Sequence, residues 1–127
     1  MGVRFMQKPF VACNSGASVV QVIKVLRGRQ LGNAKLGGTV KVAVKQARTD
    51  ELARVKRSQM VRATVTTDKF PTRRKDGTHI RSWRTGVVLI DDKDKPLSDV
   101  VNSPVSLEAA KKFPKIGQIA LKCYGVI

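Results

Sequence analysis

Alternation with a period of two dominates the chain and limits what it can become. Val40, Val42 and Val44 alternate with Thr39, Lys41, Ala43 and Lys45; Val61, Ala63 and Val65 alternate with Met60, Arg62, Thr64 and Thr66. Successive side chains of a β-strand point to opposite faces, so this pattern buries one face and wets the other. Ala17 to Leu26 (ASVVQVIKVL) is rich in β-branched residues and apolar on both faces except at Gln21 and Lys24. That predicts a central, long or coiled strand covered on both sides. Val87 to Ile90 is a short continuous apolar run, and Ile119, Leu121 and Cys123 alternate with Gln118, Ala120 and Lys122. Five strands joined by basic loops predict a mainly β fold, a small five-stranded β-barrel. A short C-terminal helix is expected over 107–113. Ser106 suits its N-cap, Glu108 its first turn, Lys111 and Lys112 its last turn, and Pro114 stops it. Packing through Leu107, Ala110 and Phe113 would make this helix a lid over one barrel end.

At 127 residues the chain is expected to form a single domain over 1–127. Its 42% apolar content is enough for a core and too high for a disordered basic tail. No apolar run approaches about 18 residues, which excludes a helical membrane span. The start, Met1-Gly2-Val3-Arg4-Phe5-Met6, shows neither a myristoylation pattern nor a secretory h-region. Two cysteines at opposite ends, Cys13 and Cys123, make no secreted disulfide framework and are expected to pack as small hydrophobes.

Catalytic signatures are absent. There is no G-x-S-x-G, no G-x-x-x-x-G-K-[ST] and no G-x-G-x-x-G. His79 is the only histidine, and with Cys13 and Cys123 it offers three soft ligands at no zinc-like spacing. His79 is read as a hairpin or RNA-backbone donor. Asp91, Asp92 and Asp94 lack the glycine and bidentate glutamate of a calcium loop and are read as a solvated turn between Ile90 and Pro96. No metal, no cofactor and no enzymatic activity are therefore expected.

Charge supplies the positive signal. The formal net charge is +16, and it is uneven. Residues 1–90 hold 19 Lys+Arg against 4 Asp+Glu, whereas residues 91–127 hold 6 against 5. The chain thus divides into a basic barrel over 1–96 and a near-neutral part over 97–127, the latter read as the helix plus a final strand. So basic a body calls for a polyanion, and nucleic acid leads over a membrane surface. Arginines make up 11 of the 25 basic residues, and guanidinium groups bond phosphate in bidentate fashion and stack on bases. The cations sit in loops. Arg27 and Arg29 follow the first long strand. Lys45, Arg48, Arg54, Lys56 and Arg57 lie in or beside the 46–59 connection. Lys69, Arg73, Arg74, Lys75, Arg81 and Arg84 occupy the 68–84 connection with the only tryptophan, Trp83. Asp76-Gly77 predicts a hairpin with a type I′ turn, holding the three cations before it on an arm. Trp83 between Arg81 and Arg84 is either a stacking face or a core residue at the barrel rim. Rigid basic loops suit structured RNA better than a groove-reading helix, and no recognition helix is evident.

Specific blocks sharpen this reading. Asn14-Ser15-Gly16-Ala17, Ile23-Lys24-Val25, Arg73-Arg74-Lys75-Asp76-Gly77-Thr78-x-Ile80-Arg81 and Val87 to Ile90 occur in this order. Together with Pro96, Pro104-Val105, Glu108 and Phe113-Pro114-Lys115-Ile116, the chain from about Phe10 onward resembles the universal large-subunit ribosomal protein L-fourteen family. The resemblance implies a five-stranded barrel with a small helical C-terminal part, non-enzymatic, bound to large-subunit ribosomal RNA at the subunit interface. It implies an intersubunit bridge to small-subunit RNA, neighbours of the large-subunit protein three and nineteen families, and a docking face for a ribosome silencing factor. By matching position, Asn14, Ser15, Lys24, Arg73, Arg74, Lys75 and Arg81 would face RNA or shape its site. Lys111, Lys112 and Phe113 are assigned to protein-partner or bridge contacts.

Three departures stand out. Cys13 replaces the family's usual Asp, Ser58-Gln59 its usual Gly-Asp, and Ser98-Asp99-Val100-Val101 its usual Gly-Thr-Arg-Ile. Such drift fits a mitochondrial ribosome, with a bacterial-type cytoplasm or a plastid as the alternatives. The competing function is a free-standing single-stranded nucleic-acid barrel of the OB or cold-shock type, which needs an aromatic platform on its strands. Only six aromatic residues are available for one.

Overall fold

A computed structural model describes residues 2–26 and 33–127. Seven strands are present among them: β1 (Phe10–Val11), β2 (Ala17–Leu26), β3 (Thr39–Ala47), β4 (Met60–Thr67), β5 (Thr72–Arg73), β6 (His79–Ile80) and β7 (Gly86–Ile90). Two helices follow, α1 (Leu107–Lys112) and α2 (Pro114–Lys122). The main sheet has five strands in the order β1-β7-β4-β3-β2, and β5-β6 form a separate hairpin.

The sheet curls until one segment serves both its edges. Phe10 N–H donates to the Thr85 carbonyl at 2.9 Å and Ala12 N–H to the Val87 carbonyl at 2.8 Å, which places β1 parallel to β7. Just upstream, Met6 N–H reaches the Val22 carbonyl and Val22 N–H the Gln7 carbonyl, both at 2.9 Å, on the far edge of β2. The mainly β, five-stranded expectation therefore holds, but the fifth strand is N-terminal.

The predicted strand at 119–123 is corrected to helix. Pro114 stands at the first turn of α2, where its fixed φ and missing N–H favour a helix start, so it begins one helix instead of only ending another. Ile116, Gly117 and Ala120 are buried, the spacing of a helical face, while Leu121 is 71% exposed. Gly125, at φ 87°, turns the chain back so that Ile127 N–H meets the Val105 carbonyl at 2.8 Å. Cys123 consequently lies exposed at the end of α2, whereas Cys13 is buried as expected.

The alternation in β3 is borne out: Val40, Val42 and Val44 are buried and Lys45 is exposed. In β4, Ala63 and Val65 point to the core, yet Thr64 and Thr66 on the opposite face are also fully buried. Their hydroxyls lie 3.3 Å from the Gly38 carbonyl and 3.4 Å from the Gly86 carbonyl, and Ser106 N–H caps the Thr66 carbonyl at 3.0 Å. Small side chains that satisfy their own polar atoms let the C-terminal part pack over this face. β4 and β7 are thus the covered centre.

The long strand β2 is corrected from centre to edge. Its register with β3 shifts between Ala17 and Val19, Val19 and Val20, and Val22 and Lys24. Such bulges coil a strand and rotate its side chains, so Val19, Ile23 and Val25 are only half-buried despite being apolar. In α1 the buried residue is Ala109, while Leu107 lies exposed on the surface, another correction. Ser106 takes an N-cap conformation without donating or accepting through its hydroxyl.

Candidate nucleic-acid interface

The Asn14-Ser15-Gly16 block is a backbone clasp. Arg54 N–H donates to the Ser15 carbonyl and Arg48 N–H to the Gly16 carbonyl, both at 2.8 Å, fastening the 46–59 connection to the start of β2. Gly16 has φ 102°, and a Cβ there would stand 2.7 Å from the Ala53 Cβ. Only glycine fits. Of the two roles expected of Ser15, shaping the site is the one its position suits: its side chain is fully buried and its hydroxyl accepts from the Cys13 thiol at 3.4 Å. Asn14 stays exposed, with its N–H donating to the Ser98 hydroxyl at 3.1 Å.

This clasp shapes an open groove of about 1060 Å³ between the β2–β3 pair and the connection. Lys45, Arg48, Lys56 and Arg57 line it together with Lys8 from the N-terminal segment. One carboxylate intrudes, Asp50, with its Oδ1 3.9 Å from Arg48 Nε. Lys8 had no signal in the sequence, because it reaches the groove through the pairing of the N-terminal segment with β2. Arg54 lies elsewhere, in a second depression with Lys41 and Arg62. Lys24 is exposed on β2, opposite Lys41 of β3. Arg27 and Arg29 lie outside the described residues.

The 70–80 hairpin is real, but its turn is corrected. Arg74 N–H meets the Thr78 carbonyl at 2.8 Å and Gly77 N–H the Arg74 carbonyl at 3.1 Å, while only Gly77 has positive φ. A type I′ turn needs two such residues; this is a three-residue loop ending in a left-handed glycine. Thr78 donates to Asp76 from its hydroxyl and its backbone N–H, holding the Asp76 carboxyl below the usual carboxylate range. Arg73 and Lys75 point to solvent. Arg74 does not. Its Nε donates to Glu108 Oε1 at 2.8 Å and its Nη2 to the Ile127 main-chain oxygen at 2.6 Å. Burial raises the Glu108 pKa, but the Arg74 hydrogen bond and charge outweigh it and hold the carboxyl below its ordinary value. His79 is exposed on the same hairpin.

Beyond the hairpin, Arg81, Trp83 and Arg84 are exposed on the way into β7. The rim-packed alternative for Trp83 is ruled out by its 96% exposure. Leaving an indole in water forgoes about 3 kcal/mol or more of burial. Arg84 lies over the Phe10 ring, 3.7 Å from its centroid. The exposed aromatics Phe5, Phe70, Trp83 and Tyr124 all fall outside the strands, so the described strands carry no exposed aromatic platform.

Lys111 and Lys112 are exposed on α1, while Phe113 is a core residue at 4% exposure and is corrected as a contact residue. In the acidic turn, Asp91 Oδ1 accepts from Lys93 N–H and Lys95 N–H, both at 2.9 Å, and Asp94 pairs with Arg62 at 3.1 Å. The turn bonds to itself and joins Ile90 to Pro96, as expected.

Two comparisons bear on this arrangement. The family profile described as "Ribosomal protein L14p/L23e" matches residues 5–124. A protein named "Large ribosomal subunit protein uL14" from Petrotoga mobilis is 40% identical over 121 residues, covering 93% of this chain and 96% of that relative.

Proposed function

The chain belongs to the ribosomal protein L14p/L23e family, and from that membership we propose that it is a structural constituent of the large ribosomal subunit that binds ribosomal RNA. The groove carries the reading: cations from three separate stretches of sequence, Lys8, Lys45 with Arg48, and Lys56 with Arg57, converge on one concave surface. Shape and phosphate contact of this kind recognise folded RNA. The exposed Arg73, Lys75, Arg81 and Lys69 extend the same chemistry along the second connection.

The near-neutral C-terminal part suits protein neighbours and the bridge to small-subunit RNA. Lys111 and Lys112 stand exposed on α1, and Leu121, Tyr124 and Ile127 expose apolar surface nearby in sequence. Neighbours of the large-subunit protein three and nineteen families, and a ribosome silencing factor, are the partners assigned to it. The replacements at Cys13, Ser58-Gln59 and Ser98–Val101 favour a mitochondrial ribosome of bacterial type.

The test is co-sedimentation and salt. The protein should follow large subunits through a sucrose gradient, in the mitochondrial fraction of its cell. With about nine phosphates neutralised, log K against log salt for ribosomal RNA should slope by roughly −6 to −8. A flat salt response, or protein that stays at the top of the gradient, refutes the reading.

A further inference from the structure

Trp83 is the chain's only tryptophan, held out in the loop between β6 and β7. The backbone around it is pinned. Ser82 N–H donates to the Asp68 carbonyl at 2.9 Å, the Thr67 hydroxyl to the Arg84 carbonyl at 3.1 Å, and the Thr85 hydroxyl to Asp68 Oδ1 at 3.4 Å. Both flanks of Trp83 are therefore fastened to the end of β4 and the loop after it, and the indole alone projects. A loop whose backbone is already fixed loses little freedom when a ligand lies against the indole it carries.

Its surroundings select the ligand. An open cavity of about 450 Å³ beside the indole is lined by Lys69, Arg81 and Ser82. A second, of about 380 Å³, shares Arg81, Ser82 and Trp83 and adds Phe10 and Arg84. No Asp or Glu side chain lines either one. The neighbouring acid, Asp68, is buried, with Oδ1 accepting from Phe70 N–H and the Thr85 hydroxyl. A tryptophan that anchors a protein interface sits in an apolar, desolvated ring. This one is bordered by Lys69, Arg81 and Arg84 as well as by the apolar Phe10, Pro104 and Ile127, a mixed rim that complements a planar base with its phosphates.

We propose that Trp83 is a stacking platform for one unpaired base of the large-subunit ribosomal RNA, with Lys69 and Arg81 holding the phosphates on either side of that base. The proposal rests on the RNA-binding reading above and deepens it, because bases inside a duplex offer no free face to an indole. It also distinguishes Trp83 from the groove, which binds phosphate without reading a base.

The lone tryptophan is its own reporter. Full-length protein is titrated with deproteinised large-subunit RNA, following indole emission and, separately, filter retention. Stacking should quench the emission in step with retention. Trp83→Ala should weaken binding about 5- to 100-fold, with Trp83→Phe recovering most of the loss. Because no charge is removed, Trp83→Ala should leave the salt slope unchanged, whereas Lys69→Ala or Arg81→Ala should each lower it by about 0.7–0.9. The thermal midpoint of Trp83→Ala should match the parent, since the indole packs on so little. Retention without quenching, or a Trp83→Phe protein as weak as Trp83→Ala, overturns the platform and leaves the RNA-binding reading standing. Absence of retention at any salt overturns both.

Discussion

Among the three cations before the Asp76-Gly77 turn, Arg74 alone should matter to the isolated fold. It fastens the β5–β6 hairpin to α1 and to the end of the chain through Glu108 and the Ile127 oxygen. Its second bond to Glu108, Nη2 to Oε2, is longer at 3.4 Å. Side-chain exposures of 23% for Arg74 and 33% for Glu108 put the pair between a surface ion pair and a buried one. Exposed pairs are worth about 0.2–1 kcal/mol, and hydrogen bonds to charged groups about 1.5–3 kcal/mol. Discounting for solvent, Arg74→Ala should cost about 1–1.5 kcal/mol, and the Arg74→Ala/Glu108→Ala cycle should show coupling of about 1 kcal/mol. At this chain length that is a fall of about 3–6 °C in Tm. Thermal unfolding followed by far-ultraviolet circular dichroism, with urea titration as a second measure, reads it. The Arg73→Ala/Lys75→Ala protein should stay within about 0.5 kcal/mol of the parent, because both side chains face solvent. Equal losses in the two proteins, or no coupling in the cycle, would refute the latch.

Acid should release the same contact. Because the folded Glu108 carboxyl is held below its ordinary value of 4.5, its stabilisation is complete above that value and is lost as pH falls through the depressed one. The gap in stability between the parent and Glu108→Gln should therefore be widest near neutral pH and close in acid, and a gap independent of pH counts against the ion pair. Gly16→Ala should cost about 2 kcal/mol or more, from strain at positive φ and from the clash with Ala53, and a protein with unchanged urea midpoint would contradict that geometry. Ser58 holds φ 67°, so Ser58→Gly should stabilise by about 0.5–1 kcal/mol, checked by the same titration. A loss of stability there would mean that the serine side chain earns its strained place.

The legible parts of the fold were the ones decided locally. Val40, Val42 and Val44 on β3 alternate because one face meets the core and the other meets water, and nothing else intervenes. For β2 the coiled alternative holds but the central position does not, because a strand that coils through bulges can be apolar on both sides while lying at the edge. At 114–123 a short window showed Ile119, Leu121 and Cys123 in alternation, whereas the buried set is Ile116, Gly117 and Ala120. Deciding between them required knowing that Pro114 begins a helix there. The site divides in the same way. Cations within one loop, such as Lys56 and Arg57, were visible in order along the chain. The contributions of Lys8 to the groove and of Glu108 to Arg74 come from partners distant in sequence. Gly16 stood out as part of a motif, but its reason, the closeness of Ala53, is a contact across the fold.

The segment that serves both edges of the sheet also sets a schedule. Phe10 and Val11 pair with Gly86 and Val87, so a segment synthesised early must wait for a partner about 75 residues further along. Until residues 86–90 have left the exit tunnel, β2 and β3 can form a hairpin, but the curled sheet has no partner for its final seam. An unpaired strand edge on a highly cationic nascent chain attracts other strands and stray RNA alike. The nonlocal seam slows closure by the entropy of bringing distant residues together. How long the chain survives unassembled therefore depends on how quickly that seam is sealed.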